Sequence, residues 1–204
     1  NYISDTELKK SKLNLSSNIN EIVKNSDYLV LAVPSAFLKS TLESLKIPLN
    51  NKIIISAIKG IVPENNTIVG EFIHNQYDVP YENITVITGP CHAEEVALER
   101  LSYLTIACSD IDKAEFFANS ISGRYIKTTV SDDIYGTEYS AVLKNVIALA
   151  SGICHGLGYG DNFQAVLVSN AIREIKRFVD EVHPIKRDIK ESAYLGDLLV
   201  TAYS

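Results

Sequence analysis

Four short runs in the first part of the chain, 28–33, 52–57, 83–87 and 101–107, are rich in β-branched and aromatic residues and apolar almost throughout. Strands buried on both faces have this pattern, so all four are predicted as members of a parallel sheet. Between them, the apolar positions of 36–45, 67–75, 93–99 and 111–121 recur with a helical period, as crossover helices require. Residues 124–130 supply one further strand, and the alternation predicts a doubly wound sheet. From Asp132 onward the period becomes helical, with long helices over 133–154 and 162–182 and shorter ones over 185–191 and 196–202. The expected fold class is therefore α/β: a partial doubly wound parallel sheet over residues 1–131, followed by an all-α part over 132–204. No Gly/Ser-rich linker, low-complexity stretch or repeat marks the junction, so the long helix is expected to leave the sheet directly.

Composition narrows the choice of partners. The 204 residues carry a net charge of −6 and have a pI of about 5.2, with no cluster of basic residues interleaved with aromatics, so no nucleic acid partner is expected. No apolar run approaches the ~20 residues that span a bilayer, and no signal-peptide pattern opens the chain. Cys91, Cys108 and Cys154 form no C-x-x-C pair and no disulfide framework, which fits a reducing cytoplasm. Cys91-His92 and Cys154-His155 match no common zinc spacing, so no metal is expected. The chain begins at Asn1, contains no Met, and stops at Ser204 directly after the apolar segment 198–202; it is expected to be a piece of a longer protein.

In an open parallel sheet, ligands lie beyond the carboxyl ends of the strands. Three strand ends stand out there: Val33-Pro34-Ser35, Ser56-Ala57-Ile58-Lys59-Gly60 and Thr88-Gly89-Pro90. Taken alone, Ser35 is an N-cap at a strand exit. Lys59, between an apolar strand and Gly60, is expected to aim into the crevice. The stretch 88–95 places free backbone N–H groups at a helix start, which suits either an anion site or an ordinary βα turn. Gly152, Gly156, Gly158 and Gly160 follow a helix, where a dinucleotide fingerprint must follow a strand, so they are read as breaking one helix before Asp161 or Asn162 starts the next. Asp197 reads as a helix cap, with the orientation of a nearby lysine as the other role. Lys144 lies in the apolar helical run 139–150. Burial disfavours an ammonium and brings its pKa toward the range of proton transfer, yet on this run alone a side chain that snorkels to water is the preferred reading.

Taken together, Val33-Pro34-Ser35, Ile58-Lys59-Gly60, Gly89-Pro90 with Ala93-Glu94-Glu95, Leu143-Lys144-Asn145-Val146-Ile147-Ala148 and Leu195-Gly196-Asp197-Leu198 resemble NAD(P)-dependent glycerol-3-phosphate dehydrogenases in order and spacing. The resemblance implies a Rossmann-type domain joined to a helical substrate domain like the C-terminal part of 6-phosphogluconate dehydrogenase. It implies NAD or NADP as cofactor, and reversible hydride transfer between sn-glycerol 3-phosphate and dihydroxyacetone phosphate for glycerophospholipid synthesis; a cytoplasmic setting and a homodimer complete the expectation. It makes Lys144 the catalytic lysine, reversing the snorkelling preference. Lys59, Gly89, Cys91, Lys144 and Asp197 then touch substrate, with Pro34, Lys59 and Ala93 on the cofactor and Asn145 a neighbour of the lysine. Many members of the family carry a hydroxyl residue at the position of Cys91 and an aromatic at that of His92. The resemblance also implies a strand, glycine-rich turn and helix before Asn1 and a Ser-Arg-Asn cluster beyond Ser204, so the chain itself is expected to bind cofactor poorly and to be nearly inactive. A related two-domain hydroxy-acid dehydrogenase and a non-catalytic scaffold remain as alternatives; Gly89-Pro90 and Leu195-Gly196-Asp197 speak against the first.

Overall fold

A computed structural model describes residues 9–203. The predicted strands form as β1 (Tyr28–Leu31), β2 (Ile53–Ser56), β5 (Ile84–Thr88), β6 (Ser102–Cys108) and β7 (Ile126–Ser131), hydrogen-bonded in the order β1-β2-β5-β6-β7. A hairpin of β3 (Ile61–Val62) and β4 (Thr67–Ile68), absent from the expectation, lies between β2 and α3 (Val69–Tyr77). The helices α2 (Ser35–Leu42), α4 (Ala93–Ala97) and α5 (Ile111–Ile121) form where the periodicity placed them. A short α1 (Ile19–Lys24), also unanticipated, starts where the Asn18 side chain accepts hydrogen bonds from Asn20 N and Glu21 N.

Two strands, β6 and β7, run against expectation. β1, β2 and β5 are mutually parallel, and so are β6 and β7, but β5 and β6 pair antiparallel from Thr85↔Cys108 to Thr88↔Thr105. The reason is length. Five-residue α4 advances about 7 Å, whereas β5 spans about 17 Å, so the chain cannot return to the far edge before re-entering the sheet.

Helices cover both faces of the sheet. Leu104, Ile106 and Cys108 turn to Ala114 and Ala118 of α5, while the alternating Val86 and Ala107 turn to Ile134 of α6 (Ile134–Gly156). The largest cluster joins α2, α3 and the first two strands through residues such as Leu38, Ile54, Phe72 and Ile73, all at most 3% exposed. α6 and α7 (Asp161–Val182) pack around Ala171, Ile175, Val179 and Leu198 of α8 (Asp197–Ala202). α6 leaves β7 directly, as expected. Gly152 lies inside α6; Gly158, at φ 86°, and Gly160 make the turn into α7, whose first residue is Asp161. No helix forms over 185–191. There Asp188 offers its side chain to Lys190 N and its carbonyl to Glu191 N, a local turn that competes with helix. Among the described residues no helix is long and apolar enough to cross a membrane.

Gly70 in the first turn of α3 donates its N–H to both oxygens of Glu138, at 3.3 and 3.1 Å. A Cβ at Gly70 would stand 3.0 Å from Glu138 Oε2, so glycine permits this approach. Burial pushes the Glu138 carboxyl up to about 8, against the hydrogen bonds from the backbone of Val69 and Gly70. The folded protein therefore holds a proton that the unfolded chain loses above pH ~4.5, and stability should fall as pH rises from there to about 8. Glu138→Gln, which cannot ionise, is expected to flatten that loss. Thermal midpoints of both proteins across this pH range check it, and parallel pH profiles would contradict it.

Candidate active site

α6 owes the position of Lys144 to its buried face. Ile134, Thr137, Ala141, Lys144 and Ser151 are each at most 5% exposed and recur with helical spacing. A lysine in this stripe cannot reach water by snorkelling, and the structure excludes that reading. Its Nζ instead donates to Asp197 Oδ1. Burial pulls the Lys144 ammonium down to about 8, opposed by the nearby Asp197 carboxylate and reinforced by Lys59.

Asp197 opens α8 and is 2% exposed. Its carboxylate caps nothing; it accepts from Lys144 on one oxygen and from Lys59 Nζ at 3.2 Å on Oδ2 and 3.4 Å on Oδ1. The turn before it, Ser192–Gly196, is a single π-turn, a local irregularity often found where a helix re-aims a functional side chain. Gly196 lies close to Pro90, since a Cβ there would be 3.7 Å from Pro90 Cγ. The side chain of Ser192 adds a 3.3 Å contact with Thr105 of β6. α8 is thereby seated against both the exit of β5 and α6.

Lys59 follows β2 and keeps about one third of its side-chain surface in water (34%). Besides Asp197 it donates to the carbonyl of Gly89 at 3.3 Å. Gly89 has φ 112°, and a Cβ would lie 2.7 Å from the carbonyl oxygen of Tyr103. Only glycine combines that backbone with that approach. Half-buried Cys91 stands close by; burial pushes its thiol up, with a Ser102 hydrogen bond and the charge of Lys59 lowering it and Asp197 raising it. Lys59, Gly89, Cys91, Lys144 and Asp197 thus converge at the carboxyl ends of β2 and β5.

The remaining candidates lie around this centre. Pro34 is the exposed residue before α2, and the adjoining Ser35 meets Gly60, where a Cβ would fall 2.5 Å from Ser35 Oγ; the β1 and β2 exits are neighbours. Ser35 is the first helical residue and caps nothing. Ala93 begins α4, exposed, directly after His92. The amide of Asn145 donates back to Ala141 O at 3.4 Å and is not brought to the lysine pair. All three cysteines are free, and no cluster of metal-ligating side chains occurs among the described residues. Two further buried carboxylates went unnoticed in the sequence: Glu138, on the same helix as Lys144, and Asp133 before that helix, held by Arg187 and Tyr194. A second charge within the apolar stripe of α6 was the available signal for Glu138.

For a nicotinamide cofactor, the carboxyl end of the parallel strands is the expected place, and the side chains there fit one. Thr88 Oγ1, buried at the end of β5, has no hydrogen-bond partner, and Lys59 reaches the same edge with part of its surface open. No glycine-rich turn follows a strand among the described residues, so none of them is assigned to pyrophosphate.

A mostly parallel sheet whose carboxyl edge meets a long helix through a lysine–carboxylate–lysine cluster has the plan of a nucleotide-dependent dehydrogenase. Residues 1–114 match the family model described as NAD-dependent glycerol-3-phosphate dehydrogenase N-terminus, and residues 133–204 the one described as its C-terminus. The chain belongs to the NAD-dependent glycerol-3-phosphate dehydrogenase family. Among curated relatives, the glycerol-3-phosphate dehydrogenase [NAD(P)+] of an Exiguobacterium species is 34% identical over 205 residues, covering 100% of this chain and 60% of that protein. The enzyme of the same name from Oceanobacillus iheyensis is 35% identical over 189 residues, 92% of this chain and 55% of its own. The chain therefore spans about 60% of the length of such relatives. Among solved structures, glycerol-3-phosphate dehydrogenase of Plasmodium falciparum superimposes with a TM-score of 0.83 at 26% identity, covering 93% of this chain and 54% of that one. The corresponding protein of Dunaliella salina gives 0.83 at 25% identity, over 92% and 33% of the two chains.

Gly89→Ala is expected to destabilise the protein by about 1–3 kcal/mol, because the added carbon is strained in backbone angle and collides with Tyr103 O. Gly152→Ala, with open space around it inside α6, should be neutral or stabilising by up to about 1 kcal/mol. Urea denaturation of the two variants side by side is the check, and equal midpoints would refute it.

Proposed function

We propose that the protein catalyses reversible hydride transfer between sn-glycerol 3-phosphate and dihydroxyacetone phosphate with NAD or NADP. The observation that carries this reading is the lysine pair sharing Asp197 at the strand ends, in a chain of this family. In this reading residues 1–131 bind the dinucleotide and residues 132–204 the substrate. A hydroxy-acid dehydrogenase is not favoured: D-mandelate dehydrogenase shares the fold alone, at 17% identity and a TM-score of 0.53. The intact lysine–carboxylate centre speaks against a non-catalytic scaffold.

Oxidation of a secondary alcohol takes a proton from the hydroxyl and a hydride from the carbon. When bound, the nicotinamide ring supplies the hydride acceptor, or the donor in the reverse direction. Lys144 as the free amine accepts the proton of the C2 hydroxyl, and as the ammonium it returns that proton to the ketone oxygen. Asp197 is the counter-ion of the ammonium and holds it in one orientation. Lys59, with one side in water, stabilises negative charge developing on the C2 oxygen and attracts the substrate phosphate. Gly89 and Cys91 shape the substrate side of this crevice, and Pro34 and Ala93 its cofactor side. The remaining expectations belong to the same proposal: a small-molecule substrate, a cytoplasmic setting, a homodimer, and supply of the glycerol phosphate backbone for phospholipids.

With Lys144 titrating at about 8, ketone reduction should weaken as pH rises through that value, while alcohol oxidation should strengthen over the same interval. Lys144→Ala should lower kcat by about 10²–10⁴-fold, the usual contribution of one proton-transfer group. Both are read by assaying the full-length protein with dihydroxyacetone phosphate and each reduced cofactor, and in the other direction with sn-glycerol 3-phosphate and each oxidised one. Retention of wild-type kcat by the variant would exclude Lys144 as the proton-transfer group.

A further inference from the structure

The contact between Lys144 and Asp197 joins α6 to the segment that ends in α8. A second buried contact joins the same two elements. Asp133, before the first turn of α6 and 2% exposed, accepts Gly136 N on Oδ1 at 2.9 Å. Tyr194, inside the π-turn that leads into Asp197 and itself 2% exposed, donates its hydroxyl to Asp133 Oδ2 at 2.6 Å. Arg187 completes the cluster, with Nε on Asp133 Oδ2 at 2.7 Å and Nη2 on Oδ1 at 3.2 Å. Its remaining donors go to the His183 carbonyl at 2.8 Å and to Asp180. The guanidinium is thereby fixed to the end of α7 as well.

Each charge in this cluster has a physical reason to stay as it is. Burial pushes the Asp133 carboxyl up, but hydrogen bonds from Arg187, Tyr194 and Gly136 outweigh it and hold the group below its ordinary value. Burial and the bond to Asp133 push the Tyr194 phenol up, so it remains a neutral donor. Leu198 packing and the 2.9 Å bond from Ser151 Oγ to the Ala202 carbonyl hold the body of α8 to α6; the Asp133–Tyr194 contact, about three helical turns from Lys144 along α6, holds the turn that precedes Asp197 as well. The carboxylate of Asp197 is then presented to Lys144 in one orientation.

We propose that the Arg187–Asp133–Tyr194 cluster is a positioning device for the reacting lysine, clamping the Ser192–Gly196 turn to the foot of α6 so that Asp197 meets Lys144 in a single geometry. The inference rests on the reading of Lys144 as the proton-transfer group. Tyr194, Asp133 and Arg187 act through Asp197 and do not touch the substrate.

The test follows the Lys144 Cε resonance through a pH titration of the isotope-labelled protein, without substrate. Tyr194→Phe keeps the ring and removes the donor. Lys144 then loses part of its contact with Asp197 while its burial persists, and its midpoint should fall by about one pH unit. Tyr139→Phe, which removes a different phenol, on α6 and bonded to Glu71 at 3.5 Å, should leave the midpoint in place. A folded Tyr194→Phe protein whose Lys144 midpoint is unchanged or raised overturns the proposal. Should Tyr194→Phe not fold, Arg187→Lys is read in the same way: it keeps the charge and loses the two-pronged grip, and a lowered midpoint supports the proposal while an unchanged or raised one overturns it. This titration reads the geometry around Lys144 directly, so its outcome is separate from whether Lys144→Ala loses turnover.

Discussion

Asp197 is a carboxylate almost without contact with water, and such a charge is tolerated only when cations and hydrogen-bond donors surround it. Its two cations come from different parts of the chain, Lys59 from the exit of β2 and Lys144 from the middle of α6. Meeting both forces the start of α8 into the angle between the sheet and the long helix. Lys144 depends equally on the arrangement, since its own burial would otherwise leave an ammonium unpaired. The structure of the crevice follows from these two needs being met by one contact.

The direction of the sheet makes that contact reachable. Because β6 runs antiparallel to β5, β7 ends level with the amino end of β5, on the opposite edge from Lys59 and Gly89. α6 must then travel back along the sheet. From Ile134 to Lys144 it advances about 15 Å, close to the ~17 Å length of β5, which delivers the lysine to the carboxyl edge. Along this path three buried carboxylates are stabilised in three ways. Asp133 is ionised against Arg187 and a phenol, Glu138 holds its proton against the start of α3, and Asp197 is shared by two lysines.

Much of this was legible from local pattern. The apolar runs located the strands of the main sheet and the periodicity located α6 and α7; the run around Lys144 alone favoured a snorkelling side chain, and only the family resemblance singled that lysine out. Features that depend on partners distant in sequence were not legible. Asp197 read first as a cap, with the orientation of a lysine as its other role; the structure shows the second, but local rules see only neighbouring residues and could not name its partners, 53 and 138 positions away. Ser35 was misread because α2 starts at Ser35 itself, with Pro34 in the cap position. The reversal of β6 turned on the length of α4, which the apolar spacing overestimated. Residues 185–191 carry a helical pattern, yet Arg187 is drawn inward to Asp133 and Asp180, and Asp188 satisfies the backbone locally.

The central claim is that Lys144 and Asp197 are buried as one unit, the ammonium tolerable only beside that carboxylate. A double-mutant cycle measured by urea denaturation tests it most directly, with Lys144→Met, Asp197→Leu and the pair together. Asp197→Leu strands the Lys144 ammonium and is predicted to cost about 3–5 kcal/mol; Lys144→Met leaves Asp197 with Lys59 alone and should cost less, while the double variant should lose less than the sum, giving a coupling of at least about 2 kcal/mol. Costs that simply add would show that the two side chains do not depend on one another, and would contradict the account.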